Sequence, residues 1–140
     1  MDRLSKEQRS LNMAKVRSKN TTPEKKVRSI LHRMGYRFRI HNKTLPGTPD
    51  IVLPKYKSII FVHGCFWHGH ENCKRATIPK TNHEFWKHKI TVNKERDRLA
   101  LDSLKKLGYS CLVIWQCEMK NEDMLRQRLT DFLGGINEHR

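Results

Sequence analysis

Acidic residues are scarce in this chain, and long apolar runs are absent. Fourteen Asp and Glu stand against twenty-nine Lys and Arg in 140 residues, a formal net charge of +15. No stretch approaches the ~20 apolar residues that a membrane-spanning helix needs. The first twenty residues, MDRLSKEQRSLNMAKVRSKN, hold no apolar run between their charges, which argues against a secretory signal. We expect no membrane association and a cytoplasmic location. Internal repeats and low-complexity tracts are also missing, so neither a solenoid nor a biased linker is indicated. The length suits one domain with one core and is too short for two comfortable ones. Cysteine is limited to Cys65, Cys73, Cys111 and Cys117. In a secreted domain they would suggest two disulfides. In a cytoplasmic chain with histidines interleaved among them, metal binding is the better reading.

The surplus of base is the main compositional signal. A pI near 10.1 fits a polyanionic partner, and nucleic acid is the commonest one. The plain alternative is a soluble protein that is merely basic, and charge alone separates neither DNA from RNA nor a binder from an enzyme. Residues 1–20 read as a basic arm that could order on DNA, followed by a single domain over 21–140. Thr22 suits an N-cap, Pro23 the first helical position and Glu24 the positive end of the helix dipole. Val27, Ile30, Leu31 and Met34 then form one apolar stripe that stops at Gly35. Tyr36–Ile40, Asp50–Leu53 and Ser58–Val62 read as strands, the last two joined by a hairpin-like Pro54–Lys57. A helix is expected from Asn82 to Leu107, stopped by Gly108, and a buried strand over Tyr109–Trp115, with Trp115 in the core. Asn121 caps a last helix whose inner face is Met124, Leu125, Leu129 and Phe132. The order α-β-β-β-α-β-α predicts an α/β fold, a mixed central sheet flanked by helices.

Between these elements, His63 to Lys80 concentrates His and Cys. Cys65, His70 and Cys73 follow the pattern Cys-x4-His-x2-Cys, and Cys117, just after the last strand, can complete a tetrahedral zinc site. That requires strands Ser58–Val62 and Tyr109–Trp115 to be parallel neighbours, so that their C-terminal ends lie together. His68 and His63 are rival ligands, and unrelated cysteines are the alternative to any metal. Cys111 lies inside a strand and reads as a buried free thiol. A closed four-ligand zinc of this kind is structural. Phe66 and Trp67 follow Cys65 directly. Aromatics on a metal-held loop can wedge between base pairs, where stacking is worth ~1–3 kcal/mol per base; packing around the metal is the alternative. Lys74, Arg75, Lys80, Lys87, Lys89, Lys94 and Arg98 are candidates for phosphate contacts. On the long helix, Trp86, Ile90, Asn93, Asp97, Leu101 and Leu104 share one stripe. An inward Asp97 must find a partner, and a histidine would serve; a surface pairing with Arg96, Arg98 or a Lys is the alternative.

Pro49-Asp50 at the mouth of a strand, followed by a second apolar strand, is similar to the divalent-metal core of restriction-type nucleases. Such sites need oxygen ligands for magnesium beside a scissile phosphate. Their usual acid-x-Lys is missing here, where Phe61-Val62-His63 stands instead. The wider string decides the reading. Leu45-Pro46-Gly47-Thr48-Pro49-Asp50, Ile60-Phe61-Val62-His63-Gly64-Cys65-Phe66-Trp67-His68, Glu84-Phe85-Trp86 and Glu95-Arg96-Asp97-Arg98 together resemble the very-short-patch-repair (Vsr) endonucleases. Ser10-Leu11-Asn12-Met13 and Val113-Ile114-Trp115-Gln116-Cys117 do so too, so that the resemblance covers roughly residues 9–118.

The resemblance implies a restriction-endonuclease-like, PD-(D/E)XK-type sheet carrying a structural Zn2+ site. It implies a Mg2+-dependent enzyme that nicks double-stranded DNA 5′ of the thymine in a T:G mismatch, repairing deaminated 5-methylcytosine. Asp50 would hold magnesium with the backbone carbonyl of Val62, where the family usually has a hydroxyl residue; a backbone ligand makes that difference small. His68 would be the general base or orient the water, and His63 would be a second, phosphate-facing histidine. Glu24 would reach the water shell of the metal, and Asp97 would orient the catalytic histidine. Trp86 would join Phe66 and Trp67 as an intercalating residue. A functional link to a DNA cytosine-5 methyltransferase and to mismatch-repair proteins, a monomeric state and a nucleoid-associated, prokaryotic-type location are further expectations. Two other readings are a restriction-type or homing-type enzyme that cuts both strands, and a non-catalytic zinc-containing nucleic-acid-binding module. The combination of Asp50, His68 and Asp97 favours an enzyme, since a binder has no need of a buried acid and base.

Overall fold

In the computed structural model the described residues are 21–138, and the basic arm expected over residues 1–20 lies outside them. Helix α1 runs Thr22–Arg33. Its cap is Thr21, one residue earlier than the sequence suggests. Thr21 is extended, and its Oγ1 accepts from the Glu24 N–H at 3.3 Å. Both threonines have the right chemistry, and the backbone decides between them. Pro23 therefore falls in the first turn, where its missing N–H costs nothing.

Strand β1 is only Arg39–Ile40, shorter than the expected Tyr36–Ile40. The Tyr36 N–H is taken by the Leu31 carbonyl at 3.0 Å, and Gly35 sits at φ +89. Residues 35 and 36 thus finish the helix instead of joining a ladder. Strands β2 (Ile51–Leu53) and β3 (Ser58–His63) pair antiparallel across a short 3-10 turn. Helix α2 (His83–Lys106) then crosses over to β4 (Ser110–Trp115), which lies parallel to β3. The sheet order is β1-β2-β3-β4. Helix α3 (Glu122–Glu138) closes the fold, with the Asn121 side chain accepting from the Met124 N–H at 3.1 Å, as a cap should.

The alternation of β3 divides the core. Ile60 faces a cluster built from Val27, Ile30 and Leu31 of α1 and Leu125, Leu129 and Leu133 of α3. Ile59 and Phe61 face the other side, against Val52 and Leu104 of α2. The inner stripe of α3 is therefore Leu125, Leu129 and Leu133 at four-residue spacing. Met124 is 65% exposed and does not belong to it, while Phe132 packs at the flank. Leu129 is completely buried, so Leu129→Ala should cost about 2–5 kcal/mol in urea unfolding. Met124→Ala should stay within about 0.5 kcal/mol.

Candidate active site

The parallel register of β3 and β4 ends with His63 opposite Trp115. Both strands stop on the same side of the sheet, and Cys65 and Cys117 follow two residues beyond these ends. Cys65, His70, Cys73 and Cys117 come together there, with one ligand atom from each lying within 4.8 Å of the others. Cys117 Sγ is 3.5 Å from His70 Nδ1. Tetrahedral zinc with ordinary bond lengths separates a sulfur and a nitrogen ligand by about 3.6 Å. The Cys117 N–H donates to Cys65 Sγ at 3.4 Å. Burial, then the neighbouring thiols of Cys117 and Cys73, push the Cys65 thiol up to about 12. For Cys73 burial acts upward, but the Arg75 and Ala76 N–H groups and the other two thiols outweigh it, and the net shift is downward. Crowded sulfurs that receive N–H bonds fit a cation that replaces their protons. The donor set fits zinc. Neither rival histidine joins it, and Cys111 is packed on the α2 side of the sheet, its thiol pushed up by burial.

The loop from Gly64 to His70 folds tightly on itself, with the His68 N–H on the Gly64 carbonyl, the Gly69 N–H on Phe66 and the His70 N–H on Cys65. Asn93 of α2 pins it by donating to the Trp67 carbonyl at 3.0 Å. Gly69, at φ +59, passes so close to the helix that a Cβ would come within 2.7 Å of Ile90 Cγ2. This close approach sets His68 against Asp97, Nδ1 to Oδ2 at 2.6 Å. The neighbouring Arg98 is engaged by Glu95 and Asp102, which leaves Asp97 to His68. His63 stacks on His68 at 3.8 Å between centroids and 6° between planes. It is 6% exposed, its Nδ1 has no hydrogen-bond partner among the described residues, and burial first, then His68, lower it to about 4. Trp115 is not a core residue. Its ring stacks on His70 at 4.0 Å and meets His63 edge-on at 5.3 Å, forming the wall between the two groups.

A third group lies across the cleft. The Val62 N–H donates to Asp50 Oδ2 at 2.7 Å. Glu24, 1% exposed, turns in from α1 to His41, Oε2 to Nε2 at 2.6 Å. Ligand atoms of Glu24, His41 and Asp50 lie within 4.8 Å of one another. Octahedral magnesium places opposite ligands about 4.2 Å apart, so a hard cation fits between these acids. Burial, and then repulsion from Glu24 against the help of the Val62 N–H, raises Asp50 to about 7. This group and the His68–Asp97 pair line one cleft of about 1010 Å³, together with Phe66 and Trp67.

At its rim Trp86 meets Phe66 at 5.7 Å and Trp67 at 5.9 Å, edge to face in both cases. The structure thus brings the three aromatics together although Trp86 belongs to another element. It also adds two residues that sequence reasoning passed over. Phe85, 58% exposed, packs on Trp86 at 4.9 Å, and its side-by-side position with Trp86 was the available signal. His41 carried no signal at all, because its partner lies on a separate element and its backbone is left-handed at φ +51.

Residues 1–75 match the family model described as DNA mismatch endonuclease Vsr. The chain is 51% identical to the type II nicking enzyme V.XorIIP of Xanthomonas oryzae, over 94% of this chain and 96% of that protein. It is 42% identical to the DNA mismatch endonuclease Vsr of Escherichia coli, over 88% of this chain and 76% of that one. Among solved structures, the catalytic domain of the homing endonuclease I-Bth0305I is similar at a TM-score of 0.57 and 25% identity, covering 84% of this chain and 98% of that one. The restriction-endonuclease-like fold follows.

The geometry makes one expectation independent of any ligand. With the Asp97 carboxylate as acceptor, His68 must carry its proton on Nδ1 and leave Nε2 as a lone pair. Long-range 15N NMR of the neutral ring should report a single Nδ1–H tautomer, and Asp97→Ala should give a mixture. An Nε2–H ring in the unmodified protein would contradict the pairing.

Proposed function

Because the chain belongs to the DNA mismatch endonuclease Vsr family and is a DNA nicking endonuclease, we propose that it acts at T:G mismatches, cutting 5′ of the mispaired thymine with magnesium at Asp50. The observation that carries the reading is the meeting, in one cleft, of Asp50 and the buried Glu24 with the His68–Asp97 pair.

Asp50 and the Val62 carbonyl would hold the ion, and Glu24 would reach its water shell. In extended backbone the N–H and C=O of a residue leave from the same edge. The Val62 N–H already points at Asp50, and the β2 ladder begins only at Ile51 opposite Ile60. Both facts support that carbonyl as a ligand. When bound, magnesium supplies neutralisation of the charge that builds on the non-bridging phosphate oxygens. His68 receives the proton of the attacking water on Nε2, and Asp97 fixes the ring and balances the imidazolium. His63 makes a poorer base, since it is held neutral and lacks a carboxylate partner; it supports the His68 ring and faces the phosphate. Cys65, His70, Cys73 and Cys117 hold structural zinc, which keeps this loop in place.

Phe66, Trp67 and Trp86 enter the stack beside the mispair. A wobble pair gives up its stacking more readily than a Watson–Crick pair, so a wedge selects T:G without reading every base edge. The proposal extends to repair of deaminated 5-methylcytosine alongside a cytosine-5 methyltransferase and mismatch-repair proteins, by a monomer in the cytoplasm at the nucleoid.

Zinc analysis of purified protein should return one equivalent. Cys73→Ser should lose it together with stability, whereas Cys111→Ser should keep it; folded protein free of zinc would refute the staple. The activity is tested with end-labelled T:G and T:A duplexes and magnesium. Only the thymine strand of T:G should be nicked, and Asp50→Ala should abolish nicking while retaining binding. Phe66→Ala with Trp67→Ala should lower the T:G preference by roughly ten- to a hundred-fold, the equivalent of one stacked base at ~1–3 kcal/mol. Cleavage of both strands of T:A would favour a double-strand enzyme instead.

A further inference from the structure

The magnesium reading employs Glu24, Asp50 and Val62 and leaves His41 without a task. Yet His41 is held with unusual care. It follows β1 at φ +51, a conformation that non-glycine residues rarely adopt. Its backbone N–H donates to the Asp50 carbonyl at 3.2 Å. Its ring, 15% exposed, donates from Nε2 to Glu24 Oε2 at 2.6 Å, and that carboxylate is 2% exposed. One residue thus ties the backbone of the acid just before β2 to the side chain of the acid on α1.

The position of Glu24 explains why a tie is needed. Thr21 caps α1, so Glu24 stands three residues after the cap. From there a glutamate can turn back and accept from the N–H of its own cap residue, completing a capping box. That rotamer would take the carboxylate out of the cleft. Glu24 also meets the carboxyl of Asp50, through both charge repulsion and a side-chain hydrogen bond. Arg28 helps at 3.9 Å, but from the same helix and with longer reach. The His41 contact is the short one, and it comes from the sheet side.

We propose that His41 is a positioning residue of the cation site, holding the Glu24 carboxylate turned in beside Asp50 and thereby setting the affinity for a divalent metal. The inference rests on the reading of Asp50 as the cation ligand. His41 Nε2, the ring nitrogen that faces the acids, is occupied by Glu24, so its role is exerted through that carboxylate and not as a ligand itself. A chain of formal net charge +15, with Glu24 and Asp50 side by side in its cleft, gains a defined cation position from a single imidazole.

Mn2+ serves as the probe, with the free ion counted by electron paramagnetic resonance in titrations of the zinc-loaded full chain. Asp50→Asn is measured first. If it leaves Mn2+ binding unchanged, the reading of Asp50 fails, whatever His41 does. If it removes binding, the His41 variants decide the inference. Asparagine tolerates the left-handed backbone but is too short to reach Glu24, so His41→Asn removes the tie and spares the turn. It should weaken Mn2+ binding by about ten-fold, the usual size of a lost supporting hydrogen bond. His41→Gln, which restores a donor of greater reach, should recover most of the affinity. In a Glu24→Gln background, His41→Asn should add little. Zinc content and circular dichroism check folding, and His41→Phe, a ring without a donor, replaces His41→Asn should that variant lose zinc. Wild-type Mn2+ affinity in His41→Asn, or a loss undiminished in the Glu24→Gln background, overturns the proposal and leaves Asp50 as it was.

Discussion

The cleft depends on the parallel pairing of β3 with β4, which brings His63 level with Trp115. A slip of one residue would turn every side chain of a strand to the opposite face. Cys65 would then no longer meet Cys117, and His63 and Phe61 would turn together to the other side of the sheet. The register is protected because both faces are buried: Ile60 and Ile114 on one side, Ile59 and Phe61 on the other. It also needs α2, since parallel neighbours require a long crossover. That same helix supplies Asp97 to His68 and Asn93 to the loop carbonyl. Sheet register, zinc-type cluster and histidine pair are consequently one construction, with Trp115 as the shared wall between the last two.

Electrostatics run against the grain of the chain. The surface is strongly basic, which suits approach to DNA and predicts steep salt dependence. The cleft instead collects acids: Glu24 is buried, Asp50 is raised to about 7, and Asp97 faces His68. On the proposed reading, the basic surface attracts the phosphates, and the acids of the cleft need a cation before a phosphate can sit beside them. On the proposed reading, substrate and metal answer opposite charges and are drawn to different parts of one groove.

What could be read from the sequence follows a physical division. Short-range chemistry was legible: the Cys-x4-His-x2-Cys spacing, the inward stripe of α2 with Asp97 on it, and the parallel strands that Cys117 demanded. Boundaries that depend on one backbone hydrogen bond were not. Thr21 and Thr22 are chemically equal as caps, and nothing local says that the Tyr36 N–H closes a helix. Met124 was assigned inward because it is apolar, but the four-residue row from Leu125 to Leu133 fills the available space. His41 was invisible for a deeper reason. Its function exists only when α1, β1 and β2 are assembled, and its left-handed backbone is not encoded by a glycine.

The absence of the usual acid-x-Lys after β3 finds its answer in this assembly. Where that pattern would place a second carboxylate, Phe61 is buried in the core on the α2 side of the sheet, and where it would place lysine, His63 lies buried and neutral. The missing carboxylate has a counterpart in Glu24, which arrives from α1 beside Asp50 and is steadied by His41. The missing lysine has no single counterpart, because a buried His63 at about 4 cannot carry its charge. A proton acceptor is available instead at His68, one loop further on and backed by Asp97 from α2. On the proposed reading, then, functions that two neighbouring side chains on one face of a strand would combine are spread over a helix, a metal-held loop and a second helix. That dispersal makes the cleft more dependent on tertiary packing than a strand-borne pair would be. On the same reading, a zinc ion at Cys65, His70, Cys73 and Cys117 would bear directly on the chemistry, because the loop that carries Cys65 and His70 also carries His68.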